Sequence, residues 1–281
     1  MSSKVKTVIR YILSVVLALA IIVFLLANLA KTTILDKNYV LGKLDKTSYY
    51  VKLYGYIKEN VKNYIPQSGF DESIIDGVIT EEQVKKDTIK VITNIYNDIN
   101  EKITAEEIKT KLSENIKKAT SNMIITTEQQ KSIDDFINHI SSEYLTGIAH
   151  FDFESSIHSI IKKADKVVDF ANKALLIVIA VDVIALLVIS LNRFYKFFVF
   201  TGISCFSSGL FFLIANIFIN SKINVQTITI LNDAFSFTLR DILGEVLNTV
   251  KTNGLYLLIS GIILIIVPNL IHNFFKYKNL R

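Results

Sequence analysis

Asp182 interrupts an otherwise apolar run from Asn172 to Leu191. A carboxylate at the centre of a membrane helix costs roughly 2.5–3.5 kcal/mol on insertion scales, so its presence asks for a use. Counted along the apolar runs, its depth matches Ser207 and Ser208 in the run Phe197–Asn220. Two chemistries suit this set of residues. One is a proton or ion relay; the other is a hydrogen bond from the carboxyl to a serine that holds two helices in register. A relay needs several ionisable groups along a path, and no other charge lies deep in these runs. The expected role is structural, with Asp182→Asn nearly silent.

Four small residues, Gly202, Ser204, Ser208 and Gly209, share the run that holds the serines. Ser204-x-x-x-Ser208 is the small-xxx-small spacing that lets helices approach closely, and packing within the chain is the expected use. Tyr49, Tyr50, Tyr54 and Tyr56 crowd one polar segment, with Tyr64 close behind. They read either as an outer binding platform or as core whose hydroxyls reach the rim. Asp71, Glu72, Asp76, Glu81 and Glu82 are acidic enough for calcium but lack the ligand alternation and glycine of an EF-hand loop. His139, His150 and His158 are spaced too far apart to place two imidazoles on one helical turn. Ser159-Ile160-Ile161-Lys162 matches the Ser-x-x-Lys of penicillin-recognising enzymes, but the partner motifs are missing. No metal, no cofactor and no enzymatic activity is expected.

The elements that must carry these residues follow from where charge is absent. Apolar runs at 11–30, 172–191, 197–220 and 254–272 each approach the roughly 20 residues a helix needs to cross the hydrocarbon of a bilayer. Lys4, Lys6 and Arg10 precede the first, Arg193 and Lys196 fill the gap between the second and third, and Lys276, Lys278 and Arg281 follow the fourth. Those three segments hold no acid, and the positive-inside rule puts them on the cytoplasmic face. The formal charge of +5 is then a topology signal and not a nucleic-acid footprint, because the only long polar segment, 31–171, has more acids than bases. The first run is longer than a signal-peptide core and lacks a small-x-small site at its end, so it reads as a retained anchor. The single cysteine, Cys205, lies in an apolar run, which leaves no internal disulfide. Abundant Ile, Lys and Asn with no Trp hint at a bacterial source. The expected fold is all-α: a four-span integral membrane protein with a helical-bundle extracytoplasmic domain at 31–171, an outer loop at 221–253, cytoplasmic tails at 1–10 and 273–281, and both termini inside at the plasma membrane.

Within 31–171 the apolar periodicity is helical. Tyr50, Leu53, Tyr54, Ile57, Val61 and Tyr64 form a stripe that Pro66 should end. Thr80–Gln83, Thr104–Glu107 and Thr127–Gln130 read as capping boxes at three helix starts. Residues 153–191 read as one long helix, and Leu239–Val250 as an amphipathic helix on the outer leaflet or beneath the bundle. Phe24–Leu29 and Phe212–Ile217 are similar enough to suggest a parallel duplication of two halves.

The layout resembles that of the permease subunits of mechanotransmitting ABC transporters, which also place a large outer domain between spans one and two and keep both termini inside. The likeness is one of topology over the whole chain. Two features depart from it: the cytoplasmic segments here are too short to form the helices that meet an ATPase, and the outer segment reads as helical throughout, where theirs contains strands. The leading expectation is a non-enzymatic bacterial cell-envelope protein whose outer domain binds a protein partner as scaffold, sensor or accessory subunit, with the lipid bilayer around it and no nucleic acid. The resemblance implies the alternative, a transport-associated subunit, permease-like or regulatory.

Overall fold

The computed structural model describes residues 2–278 except 98, 100, 102, 149–153 and 231, and it leaves out the side chains of 154–157 and 276–278. His150 therefore lies outside the described residues. The chain is 86% helix, with no strand among the described residues. Among the described residues ten α-helices follow in order: α1 (Ser3–Thr32), α2 (Lys37–Lys46), α3 (Tyr49–Lys62), α4 (Ile65–Ser68), α5 (Glu81–Asn97), α6 (Glu106–Ala119), α7 (Thr127–Ile148), α8 (Glu154–Ser190), α9 (Tyr195–Lys222) and α10 (Asp233–Lys278). Four of them, α1, α8, α9 and α10, are long and apolar enough to cross a membrane. They contain the four apolar runs.

The chain divides into two compact units, Met1–Asp36 with Ala164–Thr227 and Ile242–Arg281, and Lys37–Lys163 with Ile228–Asp241. The second unit thus takes in part of the expected outer loop 221–253. Inside it, Thr47 and Thr238 share a hydroxyl hydrogen bond at 2.7 Å, and buried Lys43 pairs with Asp241 at 2.5 Å. The amphipathic stretch 239–250 is no separate helix. It continues without a break into the last span as α10, past Gly254 and through Pro268.

In the second unit, α3 packs against α5 and α7, and α6 against α7. Leu53, Ile57 and Val61 of α3, Ile108, Leu112 and Ile116 of α6, and Ile140, Tyr144 and Ile148 of α7 meet in one core. Each set repeats every three to four residues, the spacing that puts side chains on one helical face. The α3–α7 contact is close enough that a Cβ at Gly147 would run into the Ile57 side chain.

The helix starts differ from their expected devices. At α5 the Thr80 hydroxyl accepts from the Gln83 amide, but the Gln83 side chain turns to Asp87 instead of reaching back. At α6 the flanking residue is Ala105 and no side chain caps it, so Thr104 is not the cap. At α7 the reciprocal box is present one residue early. Thr126 Oγ1 accepts from the Gln129 amide and Gln129 Oε1 from the Thr126 amide. Pro66 opens the short helix α4 and does not end α3, as suits a residue with no amide hydrogen to lose in a first turn.

In the first unit, paired positions give the helix directions. Ser14 meets Ser204, and the Ala18 carbonyl accepts from Ser208, a constant offset, so α1 and α9 run parallel. Arg10 bonds Ser190 and Lys31 bonds Asp165, so α8 runs antiparallel to α1. Gly202 meets Gly261 and Gly209 meets Gly254, so α10 runs antiparallel to α9. Large apolar side chains remain exposed on these helices, among them Val15, Ile177 and Ile217. Water would make such surfaces costly; hydrocarbon would not.

Candidate functional site

The small residues of α9 divide between two neighbours. Ser204 and Ser208 are fully buried against α1. Ser14 Oγ lies 2.7 Å from the Phe200 carbonyl, Ser204 Oγ lies 2.8 Å from the Ser14 carbonyl, and Ser208 Oγ lies 3.0 Å from the Ala18 carbonyl. Gly202 and Gly209, seven residues apart, face Gly261 and Gly254 of α10, also seven apart. A Cβ at Gly202 would sit 2.9 Å from the Gly261 carbonyl oxygen. Two such faces on one helix make α9 the packing hub of its unit.

Asp182 does not join the serines. Ser207 is exposed, and the Ser208 hydroxyl is directed to the Ala18 and Ser204 carbonyls. Asp182 is 4% exposed, and its Oδ2 has no hydrogen-bond partner. Equal depth along two helices did not amount to a shared face: the serines turn to α1, and α9 offers Asp182 no hydroxyl.

Two polar ties between α1 and α8 went unread in the sequence. Buried Arg10 donates from Nε to Ser190 Oγ at 3.0 Å and from its terminal amine to the Ile189 carbonyl at 2.6 Å, at the C-terminal end of α8, where orphan carbonyls and the helix dipole favour a cation. At the opposite end Lys31 pairs with Asp165 at 2.5 Å and Asp169 at 3.0 Å. The i, i+4 spacing of those two aspartates was the available signal.

In the other unit the tyrosine platform is not a surface. Tyr49 and Tyr50 are each 4% exposed and belong to the core, and Tyr54 and Tyr56 pack half-buried against it. Burial pushes the Tyr49 and Tyr50 phenols up to about 12. Tyr144 donates to the buried Asp87 carboxylate at 2.5 Å, and Gln83 donates to the same oxygen at 2.9 Å. Burial, then the Asp87 contact, raises the Tyr144 phenol. The acidic set has local uses: Asp71 accepts from the Ser73 amide at 2.9 Å and Glu72 pairs with Lys62 at 2.6 Å.

A concave feature of this unit lies elsewhere. An open groove of about 790 Å³ runs between the α3–α4 junction, the α6–α7 connection and the first half of α7. Tyr64 stands edge-on to His139 with ring centroids 4.0 Å apart, and Phe70 meets Phe136 at 5.7 Å. Gly69, at φ +77°, turns the chain so that Phe70 follows directly on the Ser68 turn. Met123 and Ile124 stand at the rim, 68% and 95% exposed. Asp135 and Gln129 supply polar atoms on one wall. Such a groove suits an extended segment carrying apolar side chains. No family model, no curated protein and no solved structure matches this chain.

Proposed function

We propose that the protein is a bacterial plasma-membrane protein that acts by binding, not catalysis. Its four long helices cross the bilayer, both termini and the 191–196 turn lie in the cytoplasm, and the unit built on 37–163 faces outward. There it takes an apolar-bearing segment of a protein partner. The orientation is supported by the eight basic residues, free of acids, in the two tails and the turn. The binding reading is carried by the groove between Tyr64, Phe70, Phe136 and His139, with its exposed Met123–Ile124 rim. Isolated exposed side chains need no explanation, but a concavity that gathers Tyr64, Phe70, Ile133 and Phe136 beside exposed Met and Ile does.

The test is a photo-crosslinking amino acid at Ser132, inside the groove, in the full chain in its own membrane. The control position is Lys90 on α5, which contributes nothing to the groove lining. A discrete protein adduct from Ser132 alone, lost when Phe136→Asp is added, is the expected result. Adducts that are the same from both positions, or absent from Ser132, would overturn the reading. A co-purifying ATPase as the adduct would favour a transport-associated subunit.

A further inference from the structure

A second groove lies in the membrane-spanning unit, where a short turn, Leu191–Arg193, leads into α9. It holds about 670 Å³, within the roughly 300–1,000 Å³ of ligand sites, and is formed by that turn, the first turn of α9 and the last third of α10. Its floor is apolar, with Phe198, Val267 and Pro268. Its polar side chains are Asn192, Arg193, Tyr195 and His272, and His272 is held flat against Tyr195 at 4.0 Å with the rings 11° apart.

The charge at this end is of one sign. Arg193 is exposed and has no acidic partner among the described residues; its charged neighbours are Arg10 and Lys196. Arg10 is already engaged with the end of α8, and among the described residues that line the groove Arg193 is the one that carries a fixed positive charge. No acid and no side-chain cap occupies the first turn of α9. The walls continue into exposed apolar side chains, including Ile271 and Phe275, on a helix long enough to cross the bilayer.

We propose that this groove holds one anionic phospholipid of the leaflet on the basic side. The phosphate sits on Arg193, with Asn192 and His272 donating to the headgroup, and one acyl chain lies along Phe198, Val267 and Pro268. A free phosphate would leave the apolar floor uncovered, and a zwitterionic lipid would leave the net positive charge unmatched. Basic pockets between membrane helices bind acidic headgroups for this reason. The inference rests on the bilayer placement and is independent of the groove in the other unit.

The experiment uses the full chain in non-ionic detergent with equal mole fractions of phosphatidylglycerol and phosphatidylcholine, read by native mass spectrometry. The expected result is one phosphatidylglycerol retained in several-fold preference. Arg193→Gln should abolish the preference, Arg193→Lys should keep part of it, and Val267→Trp, which fills the floor, should lower retention of both lipids. Soluble glycerol phosphate should not compete. Equal retention of the two lipids by the unaltered chain, preference surviving in Arg193→Gln, or displacement by glycerol phosphate would each overturn the proposal. Failure of the Ser132 crosslink would leave these readings unchanged.

Discussion

Gly209→Ala tests the close α9–α10 contact most sharply. The added Cβ would lie 2.5 Å from the Leu258 nitrogen, 2.7 Å from the Gly254 oxygen and 2.9 Å from the Leu258 Cα. All three are backbone atoms, so no side chain can swing away. Restoring ordinary contact at 3.4 Å or more requires the helices to part by roughly 1 Å along this line, with loss of packing on either side. A clash with three backbone atoms belongs at the upper end of the about 1–3 kcal/mol that overpacking costs, and Ala gains about 1 kcal/mol over Gly in helix propensity, leaving a net loss of roughly 2 kcal/mol. At about 2–4 °C per kcal/mol for a large domain, Tm should fall by about 4–8 °C. Gly244, in the same helix as Gly254, is the control. A Cβ there meets nothing within 4 Å, so Gly244→Ala should raise Tm by about 2–4 °C from the propensity gain alone. The assay is built into the chain. Cys205 is the only cysteine and sits half-buried on α9, so a fluorogenic maleimide reports its exposure on heating in detergent. If Gly209→Ala melts at or above the unaltered protein while Gly244→Ala behaves as expected, the close contact is not what holds α9 to α10.

Asp182→Leu should raise Tm in the same melt, because it removes a buried carboxyl with an unpartnered oxygen that costs roughly 2.5–3.5 kcal/mol in lipid; a fall would show that the carboxyl has a partner in the membrane. Tyr144→Phe should destabilise the unit built on Lys37–Lys163 by about 1.5–3 kcal/mol, since the Asp87 carboxylate loses a charge-assisted donor; a denaturant midpoint that does not move would refute this. Tyr49 and Tyr50 have phenols raised above the unfolded value near 10. Their stabilisation is complete below pH 10 and fades as pH climbs from 10 towards 12. Absorbance at 295 nm should show them ionising only with cooperative unfolding in that window. All 12 tyrosines titrating together near 10 with the fold intact would count against their burial.

Long-period patterns were legible in the sequence, and lateral facing was not. The apolar runs and the stripes of α3, α5, α6 and α7 repeat over many turns, and each adds to the same signal. Which neighbour a residue meets depends on rotation about a helix axis, and four apolar spans carry little polarity contrast to fix that rotation. Hence Ser204 and Ser208 were recognised as a packing face, but their partner, α1, was not, and Asp182 was assigned serines that turn elsewhere. The tyrosines stayed open between platform and core for a related reason. Tyr49 and Tyr50 open α3, which packs against α5 and α7, and residue type alone does not distinguish core from rim there. The Tyr64–His139 groove joins segments some 75 residues apart, with no local spacing to announce it. Capping was read at the correct connections, but α6 starts without a side-chain cap, and at α7 the box is one residue early because Thr126 and Thr127, followed by Glu128, Gln129 and Gln130, offer more than one frame.

The serine ladder also sets a schedule for the growing chain. Ser14 and Ser204 are separated by 190 residues. At about 5–20 residues per second, a ribosome needs roughly 10–40 s to deliver the second after the first. Through that interval the polar edge of the first helix, Arg10 included, stands without its mates. A slower ribosome, or a longer insertion ahead of the third span, would lengthen this exposed stage while leaving every contact of the finished protein the same.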